Sequence, residues 1–352
     1  MARRTKEIRD FILNEITEHP KDVVAKAMEK FGLTRQAIIN HINALVKDRL
    51  IEAEGRTRQR TYKLKLLETK SFRVSLQNLE EDKLWREKID DSLKDLPENM
   101  IHIWNYGFSE IVNNAVDHSA GTDLNVVIRK TAATVEMFIA DNGIGIFKKI
   151  KNELNLEDER HAILELAKGK LTTDPSRHTG EGIFFTSRMF DHFMIFSGGV
   201  FFSHDIGQEE DWIWDRDIQI GETGTVVYMS CRNLCPRTTK EIFNKYQTSK
   251  EDYGFNKTII AVRLLKHGME QLISRSQAKR LLARFERFKV VVLDFTGVDT
   301  IGNAFADEIF RVYPSIHPEV KLVPANTNSD IKKIIRQAKK TKIDTAPILF
   351  KE

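Results

Sequence analysis

The sequence predicts a multidomain α+β protein with three folded parts. Its 352 residues exceed the size of one ordinary domain, and chains of this length usually divide into units of about 100–200 residues. A hydrophobic fraction of 41% beside a charged fraction of 30% is typical of globular rather than disordered chains. The spacing of apolar residues is helical at the start of the chain and alternates between strand-like and helical runs at its end.

Positive charge is concentrated at the beginning of the chain. Residues 1–65 hold 15 Lys and Arg against 9 Asp and Glu, whereas the remainder holds 40 against 42. Such an excess predicts a polyanionic partner for the first segment. No apolar run reaches the roughly 18 residues needed to cross a bilayer, and no apolar segment follows the basic N-terminus. We therefore predict a cytoplasmic protein without membrane contact, and interpret Cys231 and Cys235 as ordinary thiols.

Residues 1–65 predict three helices followed by a β-hairpin. The apolar positions at helical spacing are Ile8, Ile12, Leu13 and Ile16, then Val23, Val24, Ala27 and Met28, then Ile38, Ile39, Ile42, Leu45 and Val46. Thr34 can cap the third helix, and Gly55 can supply the turn of a hairpin across residues 52–64. Period two places Arg56, Arg58 and Arg60, the wing arginines, on one face of that hairpin.

This order of elements resembles the winged helix-turn-helix domain of bacterial transcription regulators. The resemblance implies that the third helix enters the major groove of double-stranded DNA. The outward polar residues of that helix are Arg35, Gln36, Asn40 and His41. The wing arginines would neutralise phosphates, which positions a protein without reading the base sequence. The alternative is a protein-binding unit, because winged helices also mediate protein contacts.

Residues 66–96 predict a helical connector, and residues 97–232 contain four short motifs. These are FSEIVNNAVDHS at 108–119, DNGIGI at 141–146, HTGEGIFFTSRMF at 178–190 and GETGTVVYMS at 221–230. The first motif ends a helix that Pro97 opens, and it puts Glu110 and Asn114 one turn apart on the same face. The second follows two strand-like runs, and the fourth is a glycine turn leading into a strand.

In this order the four motifs resemble the GHKL family of ATP-binding domains, which have the Bergerat α/β sandwich. The family includes histidine kinases, anti-sigma serine kinases, MutL and gyrase-type ATPases and the heat-shock ninety chaperones. The resemblance implies ATP and Mg²⁺ as cofactors. By the family pattern Asn114 supplies an oxygen ligand to Mg²⁺, and Glu110 is the catalytic general base. Asp141 matches the carboxylate that accepts a hydrogen bond from the adenine amino group.

The family pattern also assigns the glycines and the fourth motif. Gly143 and Gly145 would let the backbone pass close to the base, where a Cβ atom would collide. Gly180 and Gly182 precede a helix beginning near Ile183, and its N–H groups and dipole would suit the triphosphate. Thr225 matches the residue at the adenine end of the pocket.

The loop 168–179 corresponds to the ATP lid of the family. Lys168, Lys170 and Arg177 are its candidate phosphate partners, although single residues of such a loop are more often simply solvated. Only about 30 residues separate the hairpin from Pro97. A two-helix phosphoacceptor hairpin needs roughly 60, so an autophosphorylating sensor histidine kinase is disfavoured.

Residues 237–345 alternate strand-like and helix-like segments, which favours a mixed sheet covered by helices. The stretch LDFTGVDTIGNAFADEIF, residues 293–310, resembles the STAS domain of anti-sigma factor antagonists, and this resemblance implies a protein partner. Those antagonists carry a phosphoacceptor serine just before the helix, where this chain has Asn303 or Ala304. We therefore predict no phosphate on residues 296–306. The alternative is an unrelated small α/β domain.

The three parts together predict a regulator of transcription that binds DNA and ATP. In this hypothesis the nucleotide state of the GHKL-like domain modulates DNA or partner binding. One alternative is a serine/threonine protein kinase similar to the anti-sigma kinases. Another is a slow ATPase that forms a homodimer on ATP. Glu110 keeps hydrolysis chemically open, so the sequence leaves the question of enzymatic activity undecided.

Overall fold

The computed structural model describes residues 2–56, 60–171, 180–205, 210–215, 223–248, 254–266 and 271–340. Within these ranges the protein is a mixed α/β multidomain chain. Three β-sheets divide the described residues into an N-terminal unit (residues 2–64), a middle unit (68–248) and a C-terminal unit (254–340).

The N-terminal unit consists of three helices and a hairpin, at the positions that the apolar spacing predicts. Its elements are α1 (Ala2–Glu15), α2 (Val23–Phe31), α3 (Arg35–Lys47), β1 (Ile51–Glu54) and β2 (Thr61–Leu64). Thr34 caps α3, because its hydroxyl oxygen accepts a hydrogen bond from the Ala37 amide at 3.3 Å. The two strands pair antiparallel, with Ile51 opposite Leu64. The helices close a separate core that contains Ile8, Ile12, Ile16, Val23, Ile38, Ile42 and Leu45.

The middle unit is built on a seven-stranded antiparallel sheet. Its strands, in their order across the sheet, are β3 (Glu68–Ser75), β4 (Asp123–Lys130), β5 (Thr134–Asp141), β9 (Thr225–Arg232), β6 (His192–Ser197), β7 (Val200–Asp205) and β8 (Glu210–Asp215). Its helices are α4 (Glu81–Leu84), α5 (Asp90–Leu93), α6 (Glu98–His118), α7 (Ile146–Glu153), α8 (Glu159–Lys168), α9 (Gly182–Met189) and α10 (Thr239–Lys245). Burial alternates along β4 and β5, so one face of the sheet is covered and the other is partly open.

The prediction of a helical connector over residues 66–96 is wrong for its first part. Residues 68–75 form the edge strand β3, with Glu68 opposite Lys130, because Phe72 and Val74 alternate with polar residues and pack on the core. Helical structure follows in α4, a π-helical turn over Trp85–Ile89, and α5. The middle unit therefore begins at β3, well before Pro97.

The C-terminal unit has a three-stranded sheet. Its elements are β10 (Lys257–Ala261), α11 (Arg275–Leu282), β11 (Val290–Asp294), α12 (Asn303–Asp307), α13 (Tyr313–Ile316), β12 (Lys321–Ala325) and α14 (Ser329–Lys340), with a π-helical turn, Glu308–Val312, joining α12 to α13. The described strands pair in parallel, which corrects the predicted mixed sheet. A helical segment returns the chain between successive strands, and such crossovers give parallel pairing. Because α10 packs on α6 and α9, the described part of this unit begins at residue 254, just before β10, rather than at residue 237.

The middle and C-terminal units share one apolar core. At their junction Phe255, just before β10, packs on Phe184 and Phe185 of α9, with ring centroids 4.5 and 4.9 Å apart. Phe288 of the C-terminal unit lies 5.4 Å from the Phe255 ring. This aromatic junction joins the two units into one body.

Candidate functional site

A cavity of about 340 Å³ lies in the middle unit, between α6, α9 and the neighbouring ends of β5 and β9. It brings together six residues that the motifs single out, namely Glu110, Asn114, Asp141, Gly180, Gly182 and Thr225. Apolar side chains form much of its wall, including Ile111, Leu124, Ile139, Ile146 and Val227. Four segments far apart in the chain thus converge on one space.

Asp141 ends β5 and is held by backbone amides. Its Oδ1 accepts hydrogen bonds from the amides of Gly143, at 2.8 Å, and Thr225, at 3.3 Å. Burial raises the pKa of Asp141 and these hydrogen bonds oppose the rise. The Thr225 hydroxyl oxygen accepts a hydrogen bond from the Ile146 amide at 3.0 Å, which ties the start of β9 to α7. The carboxylate is therefore fixed at the cavity as a hydrogen-bond acceptor.

Gly143 is required by the protein itself. A Cβ atom there would collide with the Ser119 carbonyl at the end of α6. Gly145 is buried near Ser197, and neither glycine is among the residues that line the cavity. Close approach of the 141–146 loop to its own scaffold is thus one reason for these two glycines, and the predicted close approach to a base stays a prediction.

Glu110 and Asn114 project from the same face of α6, as their spacing predicts. The Asn114 side-chain nitrogen donates to the Glu110 carbonyl at 2.6 Å, which turns the amide oxygen away from that carbonyl. The Glu110 carboxylate lies near Tyr106, and burial together with this carboxylate raises the pKa of Tyr106. The two α6 residues present oxygen atoms of the type that Mg²⁺ prefers.

The N-terminus of α9 faces Glu110. A Cβ atom at Gly182 would collide with the Glu110 carboxylate, so glycine allows α9 to approach α6. The helix begins at Gly182, one residue earlier than predicted. Burial raises the pKa of Glu181, and the nearby charge of Glu110 adds to the rise. The Leu171 amide donates to the Gly180 carbonyl at 3.1 Å, which closes the base of the loop between them.

The prediction that Lys168 contacts phosphate is wrong. Lys168 is the last residue of α8 and is fully buried. Its Nζ lies 2.6 Å from the Glu165 carboxylate and donates to two carbonyls of the C-terminal unit, those of Arg280 at 3.1 Å and Ala283 at 2.9 Å. Burial lowers the pKa of Lys168 to about 8. The Lys168 ammonium group therefore forms contacts across the junction between the middle and C-terminal units.

Lys170 also reaches the C-terminal unit, because its Nζ donates to the Arg287 carbonyl at 3.0 Å. Its charge in addition lowers the pKa of Glu181, against the effect of burial. Arg177 lies outside the described residues, and so its predicted phosphate contact stays a prediction.

The lining residues that sequence reasoning did not single out include Tyr106, Lys149, Glu181 and Phe243. The Lys149 ammonium donates to the His118 carbonyl at 3.0 Å, which places a cation at the end of α6. Its segment, FKKIKNE, contains three lysines, and helical spacing alone does not single out one of them. Phe243 enters through α10, which lies outside the four motifs.

The N-terminal unit exposes most of its predicted DNA-contacting residues. On α3, Arg35, Gln36 and Asn40 are exposed and His41 is half-buried, with a pKa that burial and the Arg9 charge lower. The Gln36 amide donates to the Asn40 oxygen at 3.1 Å. Of the wing arginines, Arg56 is exposed and Arg60 lies over the Tyr62 ring, 5.5 Å from its centroid. Arg58 lies outside the described residues.

In the C-terminal unit Gly302 precedes α12, with Asn303 and Ala304 in the first turn. The Thr296 hydroxyl donates to the Asp294 carboxylate at 2.8 Å. A family model described as a STAS-like domain of unknown function (DUF4325) matches residues 277–332. The match confirms the predicted STAS-like character of this part.

The search of curated proteins returns no match to this chain. Among the described residues, no helix combines the length and apolar character that crossing a bilayer requires.

Proposed function

We propose that this protein is a DNA-binding transcriptional regulator that binds ATP, and that its nucleotide state modulates DNA or partner binding. The observation that carries the proposal is the convergence of four separate motifs on one cavity, with Glu110, Asn114, Asp141, Gly182 and Thr225 around it. The same motifs, in the same order, resemble the GHKL family of ATP-binding domains.

The cavity residues fit an adenine base at one end. Asp141 is a fixed acceptor, and an acceptor suits the exocyclic amino donor of adenine. Ile139, Ile146 and Val227 supply apolar walls for a flat ring. Guanine presents a carbonyl where adenine has its amino group, so this arrangement favours ATP over GTP.

The other end of the cavity fits a magnesium-bound triphosphate. The N-terminus of α9 offers backbone N–H groups and the positive end of a helix dipole. Asn114 would hold Mg²⁺ through its side-chain oxygen, with phosphates and water completing the shell. The bound Mg²⁺ would supply positive charge to the phosphates, while Glu110 is placed to orient or deprotonate a nucleophile.

The N-terminal unit supplies the DNA-binding part of the proposal. It carries the positive excess of the chain, and the first turns of α3 expose Arg35, Gln36 and Asn40. A helix presented in this way, beside a basic hairpin, suits the major groove and the adjacent phosphates.

The contacts around the cavity favour partner binding through the C-terminal unit as the nucleotide-dependent output. The carbonyl of Lys170, one residue before the cavity-lining Leu171, accepts hydrogen bonds from Arg284 at 2.6 Å and Arg287 at 2.9 Å. A movement of the loop base on nucleotide binding would therefore reach the STAS-like unit directly. In this form of the proposal the N-terminal unit determines where the regulator binds, and the C-terminal unit signals the nucleotide state.

Calorimetry with Mg·ATP tests the nucleotide site. In Asp141→Asn the amide oxygen would keep the backbone hydrogen bonds, and its NH₂ group would oppose the adenine amino donor. We expect an affinity about 10- to 100-fold weaker, the range for a lost charge-assisted hydrogen bond. Asp123→Asn is the matched control, because Asp123 bonds Arg73 on β3 and does not line the cavity. Equal affinity of the two variants would remove Asp141 from the proposed adenine site.

Three further assays decide among DNA binding, protein phosphorylation and ATP hydrolysis as the output. Gel-shift titration of duplex DNA with and without ATP tests whether DNA binding exists and whether nucleotide changes it. Incubation with γ-labelled ATP, followed by peptide mapping, tests the kinase alternative, and free phosphate release tests the ATPase alternative. Label on residues 296–306 would contradict the predicted absence of phosphate there and would favour the kinase.

A further inference from the structure

Two thiols and an arginine meet just beyond the end of β9. Cys231 is buried in the strand, and Cys235 is half-buried in the irregular segment between β9 and α10. One guanidinium nitrogen, Nη2 of Arg237, lies 3.2 Å from the Cys235 sulfur and 3.8 Å from the Cys231 sulfur. Both sulfurs thus lie beside the same nitrogen atom. Thr225 begins β9 and Cys231 lies near its end, so this cluster is separate from the cavity.

The arginine is held in place by its other contacts. Its Nη2 donates to the Asp191 carboxylate at 2.5 Å. The Asn99 side chain donates to the carbonyls of Cys235, at 2.7 Å, and Arg237, at 2.8 Å, which fixes the backbone on both sides of Pro236. The cation therefore stays beside both sulfurs.

The two cysteines have unequal environments. The neighbouring Cys231 thiol, together with the Arg237 backbone amide and guanidinium charge, lowers the pKa of Cys235 to about 5 despite partial burial. The neighbouring Cys235 sulfur and deeper burial raise the pKa of Cys231. A partly exposed thiolate beside a protected thiol is the arrangement of an attacking and a resolving cysteine.

We propose that Cys235 and Cys231 form a peroxide-reactive dithiol, a modification site that closes to an intramolecular disulfide. The Cys235 thiolate would attack one peroxide oxygen, so that an S–O bond forms and the O–O bond breaks. The departing hydroxide takes a proton and becomes water, leaving Cys235 as a sulfenic acid. The Cys231 sulfur then attacks the Cys235 sulfur, the S–O bond breaks, and a second water leaves with the thiol proton. The pair is oxidised by two electrons and peroxide is reduced to water.

Mass spectrometry of the full-length protein after hydrogen peroxide treatment and thiol alkylation tests the proposal. Trypsin cleaves after Arg232 and Arg237, so the disulfide would link two different peptides. We expect this linked pair and the loss of two hydrogen atoms from the intact protein. Cys231→Ser should instead accumulate a sulfenic acid on Cys235 that dimedone traps, whereas Cys235→Ser should do neither. Full alkylation of both cysteines after peroxide treatment, or disulfides between chains, would overturn the proposal.

Two matched variants test whether Arg237 activates the thiol. Arg237→Gln removes the guanidinium from both sulfurs. Arg232→Gln removes a side chain that also approaches Asp191, at 3.5 Å, but is more than half exposed and, unlike Arg237, forms no hydrogen bond to either sulfur. Oxidation should slow in Arg237→Gln by about tenfold for each unit by which the pKa of Cys235 rises above the assay pH. Arg232→Gln should react at the wild-type rate. Equal rates in the two variants would contradict activation by Arg237, and circular dichroism checks that both are folded.

Discussion

The N-terminal and C-terminal units are attached to the middle sheet in different ways. The C-terminal unit shares one apolar core with the sheet and buries charged groups at the junction. The N-terminal unit has a closed core of its own, and Ala132 and Ala133, in the turn between β4 and β5, are the residues of the middle unit that enter it within the described part of the chain. That turn and Asp141 lie at opposite ends of β5, roughly 23 Å apart at about 3.3 Å per residue. Of the two flanking units, the C-terminal unit is therefore the one that contacts the chain beside the cavity.

A cluster of buried charges holds the C-terminal unit against the middle unit in one arrangement. Glu165 of α8 binds Lys168 at 2.6 Å and Arg284 at 2.8 Å, and Arg284 also donates to the Lys170 carbonyl. Burial would raise the pKa of Glu165, but the neighbouring His161 ring, whose Nε2 lies 3.6 Å from the carboxylate, and the two cations lower it to about 2. One arginine thus connects a buried carboxylate to the chain beside the cavity.

Substitutions of cavity residues should have the largest effects, on ATP affinity and on the rate of hydrolysis or transfer. They should leave the nucleotide-free DNA affinity of the N-terminal unit unchanged. Glu110→Ala should keep most ATP affinity but lower any hydrolysis or phosphoryl transfer by about 10²–10⁴-fold, the usual contribution of a general base. Asn114→Ala should instead lose the Mg²⁺-dependent part of ATP affinity. Calorimetry and phosphate release measure the two effects. Identical behaviour of the two variants would contradict the assigned roles, and a change in nucleotide-free DNA affinity would break the comparison between units.

Equivalent lysine–glutamate pairs in the two regions should differ in their contribution to stability. Lys168 and Glu165 are 1% and 2% exposed, whereas Lys26 and Glu15 in the N-terminal unit are 38% and 31% exposed. Lys168→Ala should lower the free energy of unfolding by about 3–5 kcal/mol, because it removes one of the two cations that bind the buried Glu165 carboxylate and leaves two buried carbonyls without their donor. Lys26→Ala should cost at most about 1 kcal/mol. Urea unfolding followed by circular dichroism measures both losses in the free energy of unfolding. Similar losses would show that the buried pair at the C-terminal junction contributes no more to stability than a surface pair.

Acid should weaken the C-terminal junction. The pKa of Glu165 lies at about 2 in the folded protein, below its ordinary value of 4.5. Its contribution to stability is therefore fully present above about pH 4.5 and is lost as the pH falls towards 2. Unfolding measured across this interval should show a steeper loss in the wild type than in Glu165→Gln. Parallel pH profiles would mean that Glu165 titrates normally and that the buried cluster is not formed.

Substitutions in the hairpin of the N-terminal unit should lower DNA affinity only slightly and should leave ATP affinity unchanged. Replacing Arg56 and Arg60 by Ala should weaken binding to all duplexes and lower the log–log salt slope by about 0.9 for each lost phosphate contact. Lys63→Ala is the control on the same hairpin, since Lys63 already pairs with Glu54 at 2.7 Å. A change confined to one DNA sequence would instead indicate that these arginines read bases.

The local parts of this arrangement could be predicted from the sequence. Glu110 and Asn114 share a helical face by spacing, Asp141 ends an alternating apolar run, and Thr34 stands where a helix cap is needed. Each of these features depends on neighbours within one or two turns or strands. The order of the four motifs along the chain, which resembles that of the GHKL family, then predicts that they line one site.

The parts that failed depend on residues far away in the chain. Lys168 looked like a lid residue because Arg280 and Ala283, which bind it, lie more than 100 positions later. Residues 68–75 looked like a connector because the strand that pairs with them begins at Asp123.

Hydrogen–deuterium exchange of the full-length protein, with and without Mg·ATP, tests most directly the claim that the C-terminal unit senses the cavity. We expect ATP to slow exchange at residues 165–171 and 284–287, which meet at the Lys170 carbonyl, and to leave α3 unchanged. Lys168→Ala should reduce the protection at 284–287 while keeping it in the cavity loops. Protection of α3 without protection at 284–287, or no change anywhere on adding ATP, would contradict the account.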